Sequence, residues 1–213
     1  MIKIAISQRI IKNDNYFEIR DALDIRWAKL LEKINILPII LPNYYNVEKY
    51  FKNIDIKGII LTGGNDLSKI NNDELSKQRD TFEKRIIKFA IKKKLPLMGI
   101  CRGALIIADF FKGKIKGVNN HVGCVHKILV ESNSSYKKYL TKINKVNSYH
   151  NYAISSIPDN FIISAKANDG TIEAIEHKLY PVFAQMWHCE RPLAYSKFNL
   201  ELISNFFSNG GVH

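Results

Sequence analysis

Cysteine is scarce in this chain of 213 residues: Cys101, Cys124 and Cys189 are too few and too far apart for a disulfide framework. The start, MIKIAISQRI, lacks the basic head, apolar core and small-residue cleavage site of a secretory leader, so a reducing cytoplasm is the expected setting. No apolar run approaches the ~20 residues that span a bilayer, so no membrane partner is expected. Linkers, internal repeats and low-complexity stretches are also missing, which predicts one domain over residues 1–213. Acidic residues are in short supply, with 20 Asp and Glu against 32 Lys and Arg and a net charge of +12. That excess is spread along the chain with abundant asparagine and isoleucine, as an AT-rich coding sequence produces. There is no basic helix with interleaved aromatics and no zinc-finger spacing, so no nucleic-acid partner is expected, while an acidic small molecule remains compatible.

Apolar strands alternating with amphipathic helices fill the first half. KIAIS (3–7), ILPIILP (36–42), KGIILTGG (57–64) and PLMGI (96–100) read as strands buried on both faces. DALDIRWAKLLEKI (21–34) carries Leu23, Trp27, Leu30, Leu31 and Ile34 on one helical stripe, and Phe82, Ile86, Ile87 and Ala90 repeat the spacing between 76 and 94. This order predicts an α/β doubly wound, mostly parallel sheet with right-handed crossovers and flanking helices. After residue 115 the pattern weakens. HKILVE, FIISAKA, TIEAIEH and VFAQMWH read as strands, and LAYSKFNLELISNFF as a terminal helix.

Between PLM and the apolar run ALIIADFF sits G-I-C-R-G. A strand turning sharply into a helix exposes the residue at the turn and needs small neighbours, here Gly99 and Gly103. Cys101 would then stand at a helix N-terminus, where the dipole favours a thiolate and the Arg102 amide is free to meet an oxyanion. A buried structural cysteine at a tight turn has the same local sequence. A nucleophile also needs a base and a second oxyanion donor. Gly63 and Gly64 end a buried strand, where they form either a donor loop or a plain turn. His188 and Glu190, separated by one residue in QMWHCE, fall on one side of an extended chain, with Cys189 on the other. The carboxylate could then hold the imidazole for acid-base work.

Five ordered segments, KGIILTGGNDLS, RDTFE, PLMGICRGAL, VNSYHN and QMWHCE, resemble the γ-glutamyl hydrolase branch of the class I glutamine amidotransferase-like family over nearly the whole chain. The resemblance implies a flavodoxin-like fold and cleavage of γ-glutamyl amides without a cofactor, a metal or a required partner protein. It implies Cys101 as nucleophile, His188 as general base and acid, Glu190 as orienting acid, and the amides of Gly64 and Arg102 as oxyanion donors beside Gly63. The implied substrate is a small γ-glutamyl amide, with a nucleotide-linked amide of capsule biosynthesis first; the alternatives are γ-glutamyl polyamines or peptides, or a glutaminase role supplying ammonia to a synthetase.

Departures from the family pattern fall in the substrate pocket. Leu105 stands where the family carries a glutamine, His-Pro-Glu becomes His188-Cys189-Glu190 with a second thiol near the site, and Ser-x-His-His-Gln becomes Ser148-Tyr149-His150-Asn151-Tyr152. His150 and Asn151 are substrate-contact candidates. Arg79 is a candidate for a substrate carboxylate, or for a surface ion pair with Glu83 four residues on. NNHVGCVH (119–126) spaces two histidines and a cysteine somewhat like metal ligands, but with no fourth ligand evident no metal is expected.

Overall fold

Runs such as GIIL and LMGI have no polar face to offer solvent, and each is packed on both sides in the computed structural model, which describes residues 1–44, 46–191 and 196–211. The first half contains β1 (Ile2–Ile6), β2 (Arg9–Lys12), β3 (Ile19–Ala22), α1 (Arg26–Lys33), β4 (Ile36–Ile40), α2 (Val47–Asn53) and β5 (Gly58–Leu61). Next come α3 (Ser68–Asn71), α4 (Glu74–Lys93), β6 (Leu97–Ile100) and α5 (Arg102–Phe110). The second half contains β7 (Lys114–Gly117), β8 (Val122–Val130), α6 (Lys137–Ile143), β9 (Lys145–Tyr149) and β10 (Tyr152–Ser156). It closes with β11 (Phe161–Ala167), β12 (Ile172–His177), β13 (Val182–Gln185) and α7 (Lys197–Ser208).

Five strands run parallel in the order β4-β1-β5-β6-β13, with Ile60 beside Met98 and Phe183 on Met98's other side. Counting only these strands, the order is 2-1-3-4-5, the flavodoxin-like arrangement. Helices cover both faces. Trp27, Leu30 and Leu31 of α1 pack with Leu202, Ile203 and Phe206 of α7 on one, while Phe82, Ile86 and Ile87 of α4 pack with Ala104 and Ile107 of α5 on the other. Each such buried side chain contributes roughly 1.5–3 kcal/mol relative to exposure. The carboxyl ends of β5, β6 and β13 meet at one edge, the position at which doubly wound sheets place ligands.

The α/β expectation therefore holds, and the weaker pattern after residue 115 has a structural cause. Beyond β13 the sheet continues antiparallel through β12, β11, β8 and β9, and β10 links β12 to β7. Half-exposed antiparallel strands carry less continuous apolar runs than buried parallel ones. Three boundaries also move. The helix expected from residue 21 starts at Arg26, because Ile19–Ala22 pairs with β2 as a hairpin. VFAQMWH stops being a strand after Gln185. The terminal helix begins at Lys197, where the Ser196 side chain accepts from the Asn199 N–H; residues 193–195 of the expected segment lie outside the described residues. Among the described residues, no helix is long and apolar enough to cross a membrane.

Candidate active site

Cys101 occupies the turn from β6 into α5 with φ 53 and ψ −107, a conformation that residues with a Cβ avoid. The turn closes because both flanking glycines lack side chains. A Cβ on Gly103 would collide with the Leu61 carbonyl oxygen, and one on Gly99 would lie 2.6 Å from the Gly103 carbonyl oxygen. Strand and helix are thus pressed together, and Cys101, although 8% exposed, reaches an open cleft bordered by Gly64, Asn65, Leu105, Tyr149 and Asn151. Arg102 is the first residue of α5, where an amide has no intrahelical acceptor.

His188 and Glu190 meet across a turn rather than along an extended strand. His188 Nδ1 lies 2.6 Å from Glu190 Oε1, and both residues are buried. The side assignment from alternation is right even though the backbone differs: Cys189 points into the core at 0% exposure. Burial raises the Cys189 thiol well above its ordinary range. Burial by itself draws His188 down, but hydrogen bonds from its ring to the Cys101 side chain and to Glu190, with their charges, lift it to about 9. Asn147 on β9 holds this histidine in place by accepting from its backbone N–H and donating to its carbonyl, each at 2.9 Å. The Tyr149 ring stands edge-on to the imidazole at 5.9 Å.

Arg79 is not placed for a substrate carboxylate. It is fully buried, and its donors go to the carbonyls of Thr62, Gly63 and Gly64 at 2.9, 3.1 and 2.6 Å and to Glu83 at 3.0 Å. The ion pair with Glu83 expected at i+4 exists, but in the interior and not on the surface. It also has a consequence for the loop. In a trans peptide the N–H points opposite to the C=O, so holding the Gly63 carbonyl turns the Gly64 N–H away from Arg79. Glu83 also accepts from Ser7 Oγ and pairs with the Arg102 side chain, which reaches Asp80 as well. Burial alone would raise Glu83, yet Arg102 and then Arg79 keep it lowered and ionised. One carboxylate thereby ties the Gly63-Gly64 loop to the helix that carries Cys101.

Gly63 shows how closely these parts approach, since a Cβ there would lie 2.7 Å from His188 Cε1 and 3.5 Å from Cys101 Cβ. Gly64 has φ +82, and a Cβ on it would strike the Arg9 guanidinium at 2.5 Å. Arg9 escaped the sequence reading, as did Arg191, whose guanidinium carbon lies 4.3 Å from the Tyr149 ring centroid. Position offered a signal for both: Arg9 follows the carboxyl end of β1, and Arg191 directly follows Glu190. Asn147 gave no comparable signal. Asn151 is exposed at the cleft, which the buried His150 also borders, with its Nδ1 3.1 Å from the Tyr152 carbonyl oxygen and its Nε2 toward Glu173. His121 and His126 gather at Glu173 too, and His213 lies outside the described residues.

A thiol on a strained elbow, a histidine paired with a buried carboxylate and a glycine loop held from behind, all at the carboxyl edge of a flavodoxin-like sheet, define the class: a glutamine amidotransferase-like hydrolase. The comparisons agree. The Peptidase C26 family model matches residues 1–190, and the chain belongs to that family. It is 39% identical to the γ-glutamyl-CDP-amidate hydrolase of Campylobacter jejuni over 96% of this chain and 97% of that protein. It is 27% identical to a glutamine-hydrolyzing GMP synthase subunit of Methanocaldococcus jannaschii, over 85% and 88% of the two chains. A crystal structure of a putative GMP synthase subunit from Thermoplasma acidophilum superposes with a TM-score of 0.73 over 98% of this chain and 93% of its own, at 19% identity, a likeness of fold.

Proposed function

We propose that this chain hydrolyses the γ-glutamyl amide bond of a nucleotide-linked substrate, γ-glutamyl-CDP-amidate, through a thioester on Cys101. The observation that carries the reading is the 39% identity along almost the full length of both chains to a hydrolase named for that substrate. Arg9, beside Gly64, and Arg191, beside Tyr149, line a small recess with Gly63 and His188 next to the cleft, and supply positive charge suited to a diphosphate leaving group.

In the first step Cys101 Sγ attacks the γ-carbonyl carbon. The amides of Gly64 and Arg102 receive the oxyanion, each lowering the barrier by about 3 kcal/mol. The C–N bond then breaks as His188 gives its proton to the departing nitrogen. Water next attacks the thioester, His188 takes that proton, and glutamate leaves as Cys101 regains its thiolate. Glu190 holds the imidazole throughout, Arg79 keeps the Gly64 amide turned toward the cleft, and Asn151 is a substrate contact. The setting is the cytoplasm, with no cofactor, nucleic acid or partner protein taking part in this chemistry.

Purified protein offered γ-glutamyl-CDP-amidate and γ-glutamyl-putrescine side by side tests the reading. A kcat/KM at least about a hundredfold higher for the nucleotide substrate is expected, equivalent to about 2.7 kcal/mol of transition-state discrimination; comparable values would contradict nucleotide specificity. Similarity to GMP synthase subunits favours a second reading, a glutaminase that serves a synthetase. Rapid glutamine hydrolysis only after a synthetase is added would replace the first reading with that one.

A further inference from the structure

On the antiparallel half of the sheet, four side chains converge without a hydrogen bond between them. Glu173 on β12 is fully buried, and neither carboxylate oxygen has a hydrogen-bond partner among the described residues. Facing its Oε1 are His121 Nδ1 at 3.4 Å, His126 Nε2 at 3.4 Å and His150 Nε2 at 3.5 Å. A buried carboxylate left this way is unfavourable unless something positive sits against it.

The outer nitrogens explain why the inner ones carry no hydrogen. His121 Nε2 lies 2.9 Å from Asp169 Oδ2, His126 Nδ1 3.2 Å from the Lys127 carbonyl oxygen, and His150 Nδ1 3.1 Å from the Tyr152 carbonyl oxygen. Each outer partner only accepts, so in a neutral ring the hydrogen stays there and the inner nitrogen offers a lone pair. Ser148 Oγ also approaches His121 Nδ1, at 3.3 Å, but gives its hydrogen to the His121 carbonyl oxygen at 2.6 Å. Three lone pairs and a carboxylate then face one another. The rings pack closely, the His121 ring centroid lying 4.9 Å from that of His150 and 5.1 Å from that of His126.

One divalent ion resolves all of these contacts together. Ligand atoms held about 2.0–2.1 Å from a tetrahedral zinc lie about 3.4 Å apart, the separation found around Glu173. The ligand atoms of His121, His150 and Glu173 fall within 4.8 Å of one another, and an outer oxygen acceptor on each ligating histidine is the usual support of such a site. We propose that His121, His150 and Glu173 bind one zinc ion, with His126 Nε2 beside the same carboxylate oxygen. The ligands not evident in residues 119–126 are supplied by β12 and by the turn between β9 and β10.

The ion's role is structural. It joins the residue that leads into β8, the β9–β10 turn and β12, near the segment where Asn147 brackets His188 and the Glu173 carbonyl accepts from the Met186 N–H at 2.8 Å. The test is metal analysis of chelator-stripped protein titrated with Zn2+, and with Co2+ as a spectroscopic stand-in. Expected are about one equivalent of tightly held Zn2+, tetrahedral d–d bands with Co2+, and affinity weakened at least about tenfold in both His121→Gln and His150→Gln. Cys101→Ala and Cys124→Ser should leave binding unchanged. Wild-type protein that takes up no stoichiometric metal overturns the proposal, as does binding that survives the histidine substitutions or depends on either cysteine.

Discussion

Gly63→Ala places one methyl against the His188 ring on which the proposed reaction depends. The new carbon would lie 2.7 Å from His188 Cε1, whereas carbon atoms rest about 3.5–4.0 Å apart, so the ring must yield by roughly 1 Å. Yielding is resisted, because Glu190 grips Nδ1 at 2.6 Å and Asn147 holds the backbone on both sides. The same methyl would rest in ordinary contact with Cys101 Cβ at 3.5 Å, so it is the imidazole that must shift relative to the thiol. A misplacement of about 1 Å costs on the order of a hundredfold in rate, or about 2.7 kcal/mol of barrier. The assay is single-turnover release of the leaving group from γ-glutamyl-CDP-amidate, with thermal unfolding as the control for fold. We predict a rate loss near a hundredfold with a melting temperature within a few degrees of wild type. A variant within threefold of the wild-type rate would refute the reasoning that Gly63 sets the Cys101–His188 geometry.

Glu190→Gln should change the pH profile as well as the rate. His188 titrates at about 9, above its ordinary 6.5, so the stabilisation from its charged form is complete below about 6.5 and lost as pH rises through 9. Without the Glu190 carboxylate, the alkaline limb of kcat/KM should move toward neutrality by about one to three units; an unmoved limb would show that Glu190 does not hold the proton. Glu83→Ala would leave the Arg79 and Arg102 guanidiniums buried without their shared carboxylate, and removing one partner of a buried pair costs about 3–5 kcal/mol. Denaturant unfolding should report that loss, and a change below about 1 kcal/mol would contradict the ionic bracket.

The elbow could be read from sequence because its chemistry is local: Gly99, Cys101 and Gly103 meet the steric demands of one turn. His188 and Glu190 were legible for a similar reason, being two residues apart, although a turn and not a strand brings them together. Arg79 shows where local reading ends. Its partner at i+4 was correct, but nothing within α4 reveals that the Gly63-Gly64 loop docks over it and converts a surface pair into a buried bracket. The strand Ile19–Ala22 was hidden because its last two residues open the segment read as helix, and its pairing with Arg9–Lys12 is a contact between segments. The histidines near Glu173 could be counted but not assembled, because their meeting point exists only after β8, β9, β10 and β12 pair.

The central claim is a covalent glutamyl intermediate on Cys101, and acid quenching during turnover followed by peptide mass analysis tests it most directly. The account predicts one added glutamyl residue on the peptide bearing Cys101, formed and lost at rates matching turnover and absent from Cys101→Ala. Undiminished hydrolysis by Cys101→Ala, or an adduct carried by another residue, would contradict it.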